Sequence, residues 1–118
     1  MNFDDAVASH IKWKVRLNKF IEGDHEEYHQ LAICPHTECE LGKWISGEGK
    51  QFNYSPNYEL LIDRHTHFHK LAQDVVKMVE TGDREGAKRL VAGPFTTASK
   101  DTVYSIIQLK RDVHLHED

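Results

Sequence analysis

Two histidines four residues apart, His65 and His69, are the pair in this sequence with the clearest capacity for chemistry. In a helix this spacing puts both imidazoles on one face, a single turn apart. The apolar residues Leu61, Phe68 and Val76 follow the same periodicity, so the pair is predicted to point inward. Two imidazoles so placed suit one tetrahedral zinc ion, whose Zn–N bonds are ~2.0–2.1 Å long.

A third histidine, His10, interrupts another apolar stripe, between Val7 and Trp13. A buried neutral imidazole needs partners for both of its nitrogens, because an unsatisfied buried polar group is destabilising. Each histidine taken alone is better explained as a core residue whose imidazole makes one hydrogen bond within the protein. Three of them offered by two helices favour a shared metal ion, which would satisfy them together. The chain carries nine histidines in all.

Cys39 is the natural candidate for a fourth ligand. It lies in Thr37-Glu38-Cys39-Glu40, which fits a capping box with Thr37 as the N-cap and Glu40 reaching back. The second position of such a helix favours a thiolate, because unpaired backbone N–H groups and the positive dipole end face it. A coordinating thiol is deprotonated outright. The alternative is a buried, inert cysteine.

The elements that position these residues are predicted to be helices, since strand-like alternation never persists. The first long helix covers residues 3–21, begins at Asn2 or Asp4 as its cap, and stops at Gly23. The second opens at Ser55-Pro56, an N-cap followed by a proline whose missing N–H costs nothing there. It ends at Thr81-Gly82.

Two further helices are predicted in the last third of the chain. Asp83 is expected to cap a short helix that Gly93-Pro94 closes. A third long helix then carries an apolar face from Phe95 to Val113. The connection between the first two long helices has roughly thirty residues, which is long for a bundle and typical of a functional loop. It holds the short Cys39 helix, which is expected to end at the glycines Gly47 and Gly49.

These elements together predict an all-α fold, an antiparallel, four-helix-like bundle with a short helix inserted in the long connection. The length of 118 residues predicts one domain, spanning residues 1–118. With 39% hydrophobic residues and a net charge of −4, the chain is not expected to bind nucleic acid. No apolar run suits a membrane span or a signal peptide. Two cysteines favour a cytoplasmic protein.

Three motifs in order resemble the chemoreceptor zinc-binding (CZB) domain family. They are His10-Ile11-Lys12-Trp13, then Cys39-Glu40-Leu41-Gly42-Lys43-Trp44, then His65-Thr66-His67-Phe68-His69. The resemblance implies one Zn(II) per chain, bound by His10, Cys39, His65 and His69, in a helical bundle that often forms a homodimer. Further residues are expected to line the site or to let other groups approach it closely: Trp13, Leu41, Gly42, Trp44 and Phe68.

The resemblance also implies a function. Domains of this family are bacterial and cytoplasmic, and they serve as sensory modules of chemoreceptors and diguanylate cyclases. They respond to zinc or, through the cysteine, to oxidants such as hypochlorous acid. Since no signalling region follows Asp118, the chain is expected to be a stand-alone member or an excised fragment. No enzymatic motif is present, and a closed four-ligand zinc site stabilises a fold instead of activating water.

Two other interpretations stay open from the sequence. One is a structural zinc domain that dimerises without sensing. The other, weaker one is a hemerythrin-like di-iron bundle, which needs about five histidines and bridging carboxylates.

The remaining histidines and the second cysteine are expected to play smaller parts. His25 and His29 have acidic neighbours and are expected to be solvated, with a weak second metal site as the alternative. Cys34 and His36 flank Pro35 and form a candidate accessory redox or metal pair. Cys34 is also a low-ranking candidate to trap an oxidised Cys39 as a disulfide. Three more histidines are expected to be exposed: His67, His114 and His116.

Overall fold

The computed structural model describes residues 2–23 and 39–116. Over these ranges the chain is helical, with no strand, which confirms the predicted all-α class. We number the α-helices in chain order: α1 Phe3–Glu22, α2 Glu40–Ser46, α3 Pro56–Glu80, α4 Arg84–Leu90 and α5 Thr96–His116. A 3₁₀ segment, Glu48–Phe52, follows α2, and a π-helical turn, Val91–Phe95, joins α4 to α5. None of these described helices combines the length and apolar character needed to cross a membrane.

The ends of the long helices are where the sequence predicts them. The side chain of Asn2 caps α1 by accepting two backbone N–H bonds from its first turn, at 2.8 and 3.2 Å. Gly23 ends α1 with a φ of +126°, a conformation that glycine adopts without strain. Ser55 caps α3 and Pro56 is its first residue. These predictions from capping chemistry are confirmed.

The start of α2 differs from the prediction, because Cys39 and not Thr37 is the N-cap. The Cys39 Sγ accepts a hydrogen bond from the backbone N–H of Gly42 at 3.4 Å. The same sulfur lies 3.2 Å from Nε2 of His65. A cap at Cys39 therefore lets one side chain face both the helix end and the histidines, whereas the capping-box pattern takes no account of the neighbouring helix. Thr37 itself lies outside the described residues.

Gly93 and Pro94 do not close a helix, contrary to the prediction. The chain continues through them as a π-helical turn into α5, and both Val91 and Thr96 have α-helical dihedral angles. The wider turn accommodates the missing N–H of Pro94. The hydroxyl of Thr96 donates to the carbonyl of Val91 at 2.7 Å. Because Val91 and Phe95 are both buried in the core, packing holds the turn in place.

The core has two hydrophobic clusters, and the change from one to the other occurs at the histidines. The first cluster contains Trp13 and Phe68, and the second contains Ala6 and Leu61 with the buried side of α2. His10 lies between Ala6 and Trp13 on α1, just as the α3 histidines begin between Leu61 and Phe68. The histidine side chains are therefore buried at the boundary between two apolar clusters, with little water to satisfy them.

Polar contacts fix α3 against α5. The Arg64 guanidinium donates to the hydroxyl of Ser105 at 2.9 Å. Asp112 accepts from the amide of Asn57 at 2.8 Å and from the hydroxyl of Ser55. Because the capping residue of α3 is itself tied to α5, the helix that carries two of the candidate ligands starts from a fixed point.

Candidate metal site

The structure brings His10, Cys39, His65 and His69 together at one point. Helix α1 supplies His10, the N-cap of α2 supplies Cys39, and α3 supplies the other two. Each residue offers one possible ligand atom, and these four atoms lie within 4.8 Å of one another. The three helices thus converge on a set of three imidazoles and one sulfur.

His10 is oriented by its own helix. Its Nδ1 lies 2.7 Å from the carbonyl oxygen of Ala6, four residues earlier. A carbonyl only accepts, so Nδ1 carries the proton and, in the neutral ring, Nε2 carries the lone pair. Nε2 is buried with no hydrogen-bond partner in the structure. A buried acceptor without a partner is costly, and a metal ion is a group that this atom fits.

Burial lowers the pKa of His10 below its ordinary value, and the positive charge of Arg16 lowers it further, against the opposing effect of the Ala6 hydrogen bond. The imidazole is therefore neutral at neutral pH. The neutral form is the one that binds a metal.

His65 occupies the centre of the cluster. Its Nε2 lies 3.2 Å from the sulfur of Cys39 and 3.0 Å from Nε2 of His69. Zinc bonds of ~2.0–2.3 Å in a tetrahedron separate the ligand atoms by roughly 3.3–3.8 Å. These two separations lie just below that range, and all four atoms lie within 4.8 Å of one another. Side-chain movements on the order of 1 Å would therefore bring them into tetrahedral positions.

The four candidate ligands differ in exposure. His10, His65 and His69 have 3%, 1% and 1% of their surface exposed, whereas Cys39 is half-buried. Cys39 is therefore the candidate ligand residue with the greatest exposure to solution. Reactivity of a cysteine depends on this accessibility as well as on its thiolate character.

Aromatic side chains pack on the inner side of the site. The Trp13 ring lies 5.1 Å from that of His69, and the Phe68 ring lies 5.2 Å from that of His10. Such packing fixes the imidazole planes and excludes water from them. Trp44, also expected to line the site, instead packs between Phe3 and Phe52.

The residues of α2 that the sequence singles out lie next to Cys39. Gly42 is buried and donates its N–H to the sulfur, as described above. Leu41 is buried in the second hydrophobic cluster. The hydroxyl of Tyr58 donates to the carbonyl of Ile45 at 2.7 Å, which ties the end of α2 to α3.

Two features were not predicted from the sequence, of which one orients a candidate ligand and the other shapes the chain after α2. The Ala6 carbonyl orients His10, and the one sequence feature that could have indicated this is the spacing of four residues within a helix. Gly49 has another role, since a Cβ there would come within 2.8 Å of the Trp44 carbonyl and 2.9 Å of its ring. Glycine at this position lets the chain pass closely under Trp44 after α2 ends.

Other candidate residues lie away from this cluster or outside the described residues. His67 and His114 are exposed, as predicted. His25, His29 and Cys34 lie outside the described ranges, as does the side chain of His116. Within residues 2–23 and 39–116, the cluster of His10, Cys39, His65 and His69 is the group suited to a metal, and it contains no carboxylate. A di-iron site needs bridging carboxylates, so this cluster does not fit one.

A family comparison agrees with the geometry. The family model of the chemoreceptor zinc-binding domain matches residues 10–76, which is more than half of the chain. This range begins at His10 and contains Cys39 and both α3 histidines. The chain belongs to the CZB family. No curated protein and no solved structure matches it.

Membership of the CZB family gives the site a chemical interpretation. The family is named for zinc binding and for its association with chemoreceptors. Three imidazoles and a thiolate are ligands that zinc accepts, and four protein ligands fill its preferred tetrahedral shell. A filled shell leaves no position for a reacting water, so the arrangement suits stabilisation and signalling better than hydrolysis.

Proposed function

We propose that this CZB domain is a sensory domain in which His10, Cys39, His65 and His69 hold one Zn(II) per chain, and in which the zinc-thiolate responds to zinc availability or to oxidants. The observation that carries the proposal is the convergence of four ligand atoms within 4.8 Å, from three helices. The partnerless, buried Nε2 of His10 supports it. The chain's role is regulatory and not catalytic.

Cys39 is the residue that makes the site responsive. Zinc, when bound, keeps its sulfur in the thiolate form. The thiolate attacks hypochlorous acid, and the net reaction converts thiolate and HOCl into sulfenic acid and chloride, with the sulfur oxidised by two electrons and the chlorine reduced. A sulfenic acid is a weaker ligand than a thiolate, so this oxidation weakens the hold of the site on its metal.

Helix α2 is the element that would transmit the change. The one candidate ligand that it carries is its N-cap, Cys39. The rest of the helix is held by packing, because Leu41 and Ile45 lie in the second hydrophobic cluster. The Tyr58 hydroxyl also binds its last turn. When Cys39 no longer ties α2 to α1 and α3, the start of α2 is free to shift about its packed end. The state of one sulfur therefore sets the relative packing of three helices.

We place this chain in the bacterial cytoplasm as a single domain of residues 1–118, acting with a chemoreceptor or diguanylate cyclase partner in a pathway such as chemotaxis. The family's association with chemoreceptors supports this setting. The partner would read the packing of the bundle, without contact with nucleic acid or membrane.

A homodimer is part of the proposal, and an exposed apolar groove between α1 and α5 supports it. Ile11 on α1 and Tyr104 on α5 have 56% and 58% of their surface exposed, and Ile107 is also exposed. These residues line a cavity of ≈ 480 Å³. Exposed apolar patches of this kind mark interaction sites, and the groove lies on the helix that carries His10.

The double substitution Tyr104→Lys with Ile107→Lys is expected to convert the dimer to a monomer. Charges forced into an apolar interface without partners should raise the dimer dissociation constant on the order of 100-fold or more. Light scattering at micromolar concentration measures the molar mass, and zinc content should not change. Tyr54→Lys with Leu60→Lys, at exposed apolar residues elsewhere, is the matched control. If the wild-type chain is itself monomeric at this concentration, the proposed homodimer is contradicted.

The sensing claim is tested by zinc release under graded hypochlorous acid, followed with a zinc indicator. The wild-type protein should release one zinc per chain as Cys39 is oxidised. Cys39→Asp is the control, because aspartate is a good N-cap and a zinc ligand but has no oxidisable sulfur. It should keep its zinc at the same oxidant dose. Zinc that exchanges with mild chelators but resists oxidant would restrict the signal to zinc. Zinc that resists both would leave only a structural role.

A further inference from the structure

We propose that reagents reach the Cys39 sulfur through a small cavity between α1 and α2, and that Asp5 and Glu40 at this cavity select uncharged reagents over anions. The inference rests on the proposed function and deepens it, because it states which class of oxidant the sensor admits. The residues that carry the charge selection, Asp5 and Glu40, are not among the four candidate ligands.

The cavity has the dimensions of an entrance for small molecules. Its volume is ≈ 50 Å³, and its lining includes Asp5, Ser9, His10, Cys39 and Glu40. A water needs roughly 10–15 Å³ of such space, so the cavity holds only a few water-sized molecules. Hypochlorous acid and hydrogen peroxide are of that size, whereas a thiol peptide is much larger.

A second cavity lies beside the site, but it leads to a different ligand. It has a volume of ≈ 170 Å³ between α2 and α3, and it is lined by His65 and Thr66 and not by Cys39. His65 is almost fully buried, whereas Cys39 is half-buried. A reagent in this larger cavity therefore meets an imidazole, and the route to the sulfur is the smaller cavity.

Among the described residues, the charged side chains that line the smaller cavity are all acidic. Asp5 and Glu40 are exposed residues in the first turns of α1 and α2, and both line the cavity. No lysine or arginine lines it among the described residues. Carboxylates at a confined opening lower the local concentration of anions, because low-dielectric walls focus the field. Uncharged hypochlorous acid passes, while hypochlorite and other anionic oxidants are disfavoured.

The test uses two alkylating reagents of nearly equal size, neutral iodoacetamide and anionic iodoacetate. With each, the Cys39 sulfur attacks the methylene carbon, an S–C bond forms, and iodide leaves with the electron pair of the C–I bond. All samples are the purified chain of residues 1–118 with the added substitution Cys34→Ser, so that Cys39 is the one cysteine left of the two. Mass spectrometry follows the rate. Because rates are compared between variants for each reagent, intrinsic reactivity cancels.

In Asp5→Asn with Glu40→Gln, iodoacetate should react on the order of tenfold faster, while the iodoacetamide rate stays within about twofold. The matched control is Glu59→Gln with Asp63→Asn, which removes the same charge from exposed positions on α3 and should change neither rate. Equal changes with both reagents, or no change with iodoacetate, would overturn the charge selection.

The route is tested by filling each cavity in turn. Ser9→Phe should slow both reagents several-fold, whereas Thr66→Phe, in the other cavity, should slow neither; the reverse pattern would overturn the assigned route. Zinc content is measured on every sample, which separates the two proposals. A chain without zinc that keeps these rate patterns would contradict the proposed function alone. A zinc-loaded chain that does not show these rate patterns would contradict the access route alone.

Discussion

Replacement of Cys39 by alanine is expected to lower zinc affinity by more than about 100-fold. Mutation of a residue that only supports a ligand already lowers metal affinity by about 10–100-fold. The substitution removes the sulfur that lies 3.2 Å from Nε2 of His65. It also removes the N-cap of α2, which should cost about 1 kcal/mol of stability separately. Competition with a chromophoric zinc chelator measures the affinity.

Cys34→Ala is the control for this substitution, because it removes the other thiol of the chain. Zinc affinity should change by less than about threefold, well under the 10–100-fold expected of a supporting residue. Equal losses in the two variants would show that Cys39 has been wrongly assigned as the thiol ligand. Cys39→Ser separates the two roles of Cys39, because serine keeps a capping oxygen while zinc favours a thiolate over a hydroxyl.

Removal of zinc by a chelator is expected to lower the melting temperature of the wild-type chain by about 15 °C. A ligand present at a thousand times its dissociation constant adds about 4 kcal/mol to the free energy of unfolding, and a domain of this size gains about 4 °C per kcal/mol. The structural reason is that three almost fully buried imidazoles lose their common partner. Circular dichroism with and without chelator measures the shift.

The paired variants His69→Leu and His67→Leu show whether the effect of the chelator on the melting temperature arises at this site. His69 is buried in the cluster, while His67, on the same helix, is exposed. His69→Leu should melt near the chelated wild type and should respond to the chelator by less than about 2 °C, because the site has lost a ligand. His67→Leu should keep the full chelator response. If both variants keep it, His69 takes no part in the site.

Most of the architecture follows from local rules that act within one segment. Asn2, Gly23, Ser55 and Pro56 set the helix ends through capping bonds, a positive φ and a fixed proline φ, all of which depend on near neighbours. The inward face of α3 follows from the 3.6-residue period. The same period places His65 and His69 on the buried face, so the core of the site is predictable from spacing.

The features that escaped prediction depend on contacts between segments. The capping box favours Thr37, but the cap is Cys39, whose sulfur also faces a histidine on another helix. Gly93 and Pro94 are typical helix terminators, yet the buried Val91 and Phe95 hold a π-helical turn across them. Trp44 resembles a lining residue of the site by its position in the motif, but Phe3 and Phe52 provide its packing surface. Tertiary packing decides each of these cases.

X-ray absorption spectroscopy at the zinc edge, combined with elemental analysis of the purified chain, identifies the metal and its ligand atoms. We expect one zinc per chain, with three nitrogen ligands at ~2.0–2.1 Å and one sulfur ligand at ~2.3 Å. The sulfur contribution should disappear in Cys39→Asp and persist in Cys34→Ala. A zinc shell without sulfur, a second sulfur ligand, iron in place of zinc, or no metal would contradict the assignment of His10, Cys39, His65 and His69 as the ligand set.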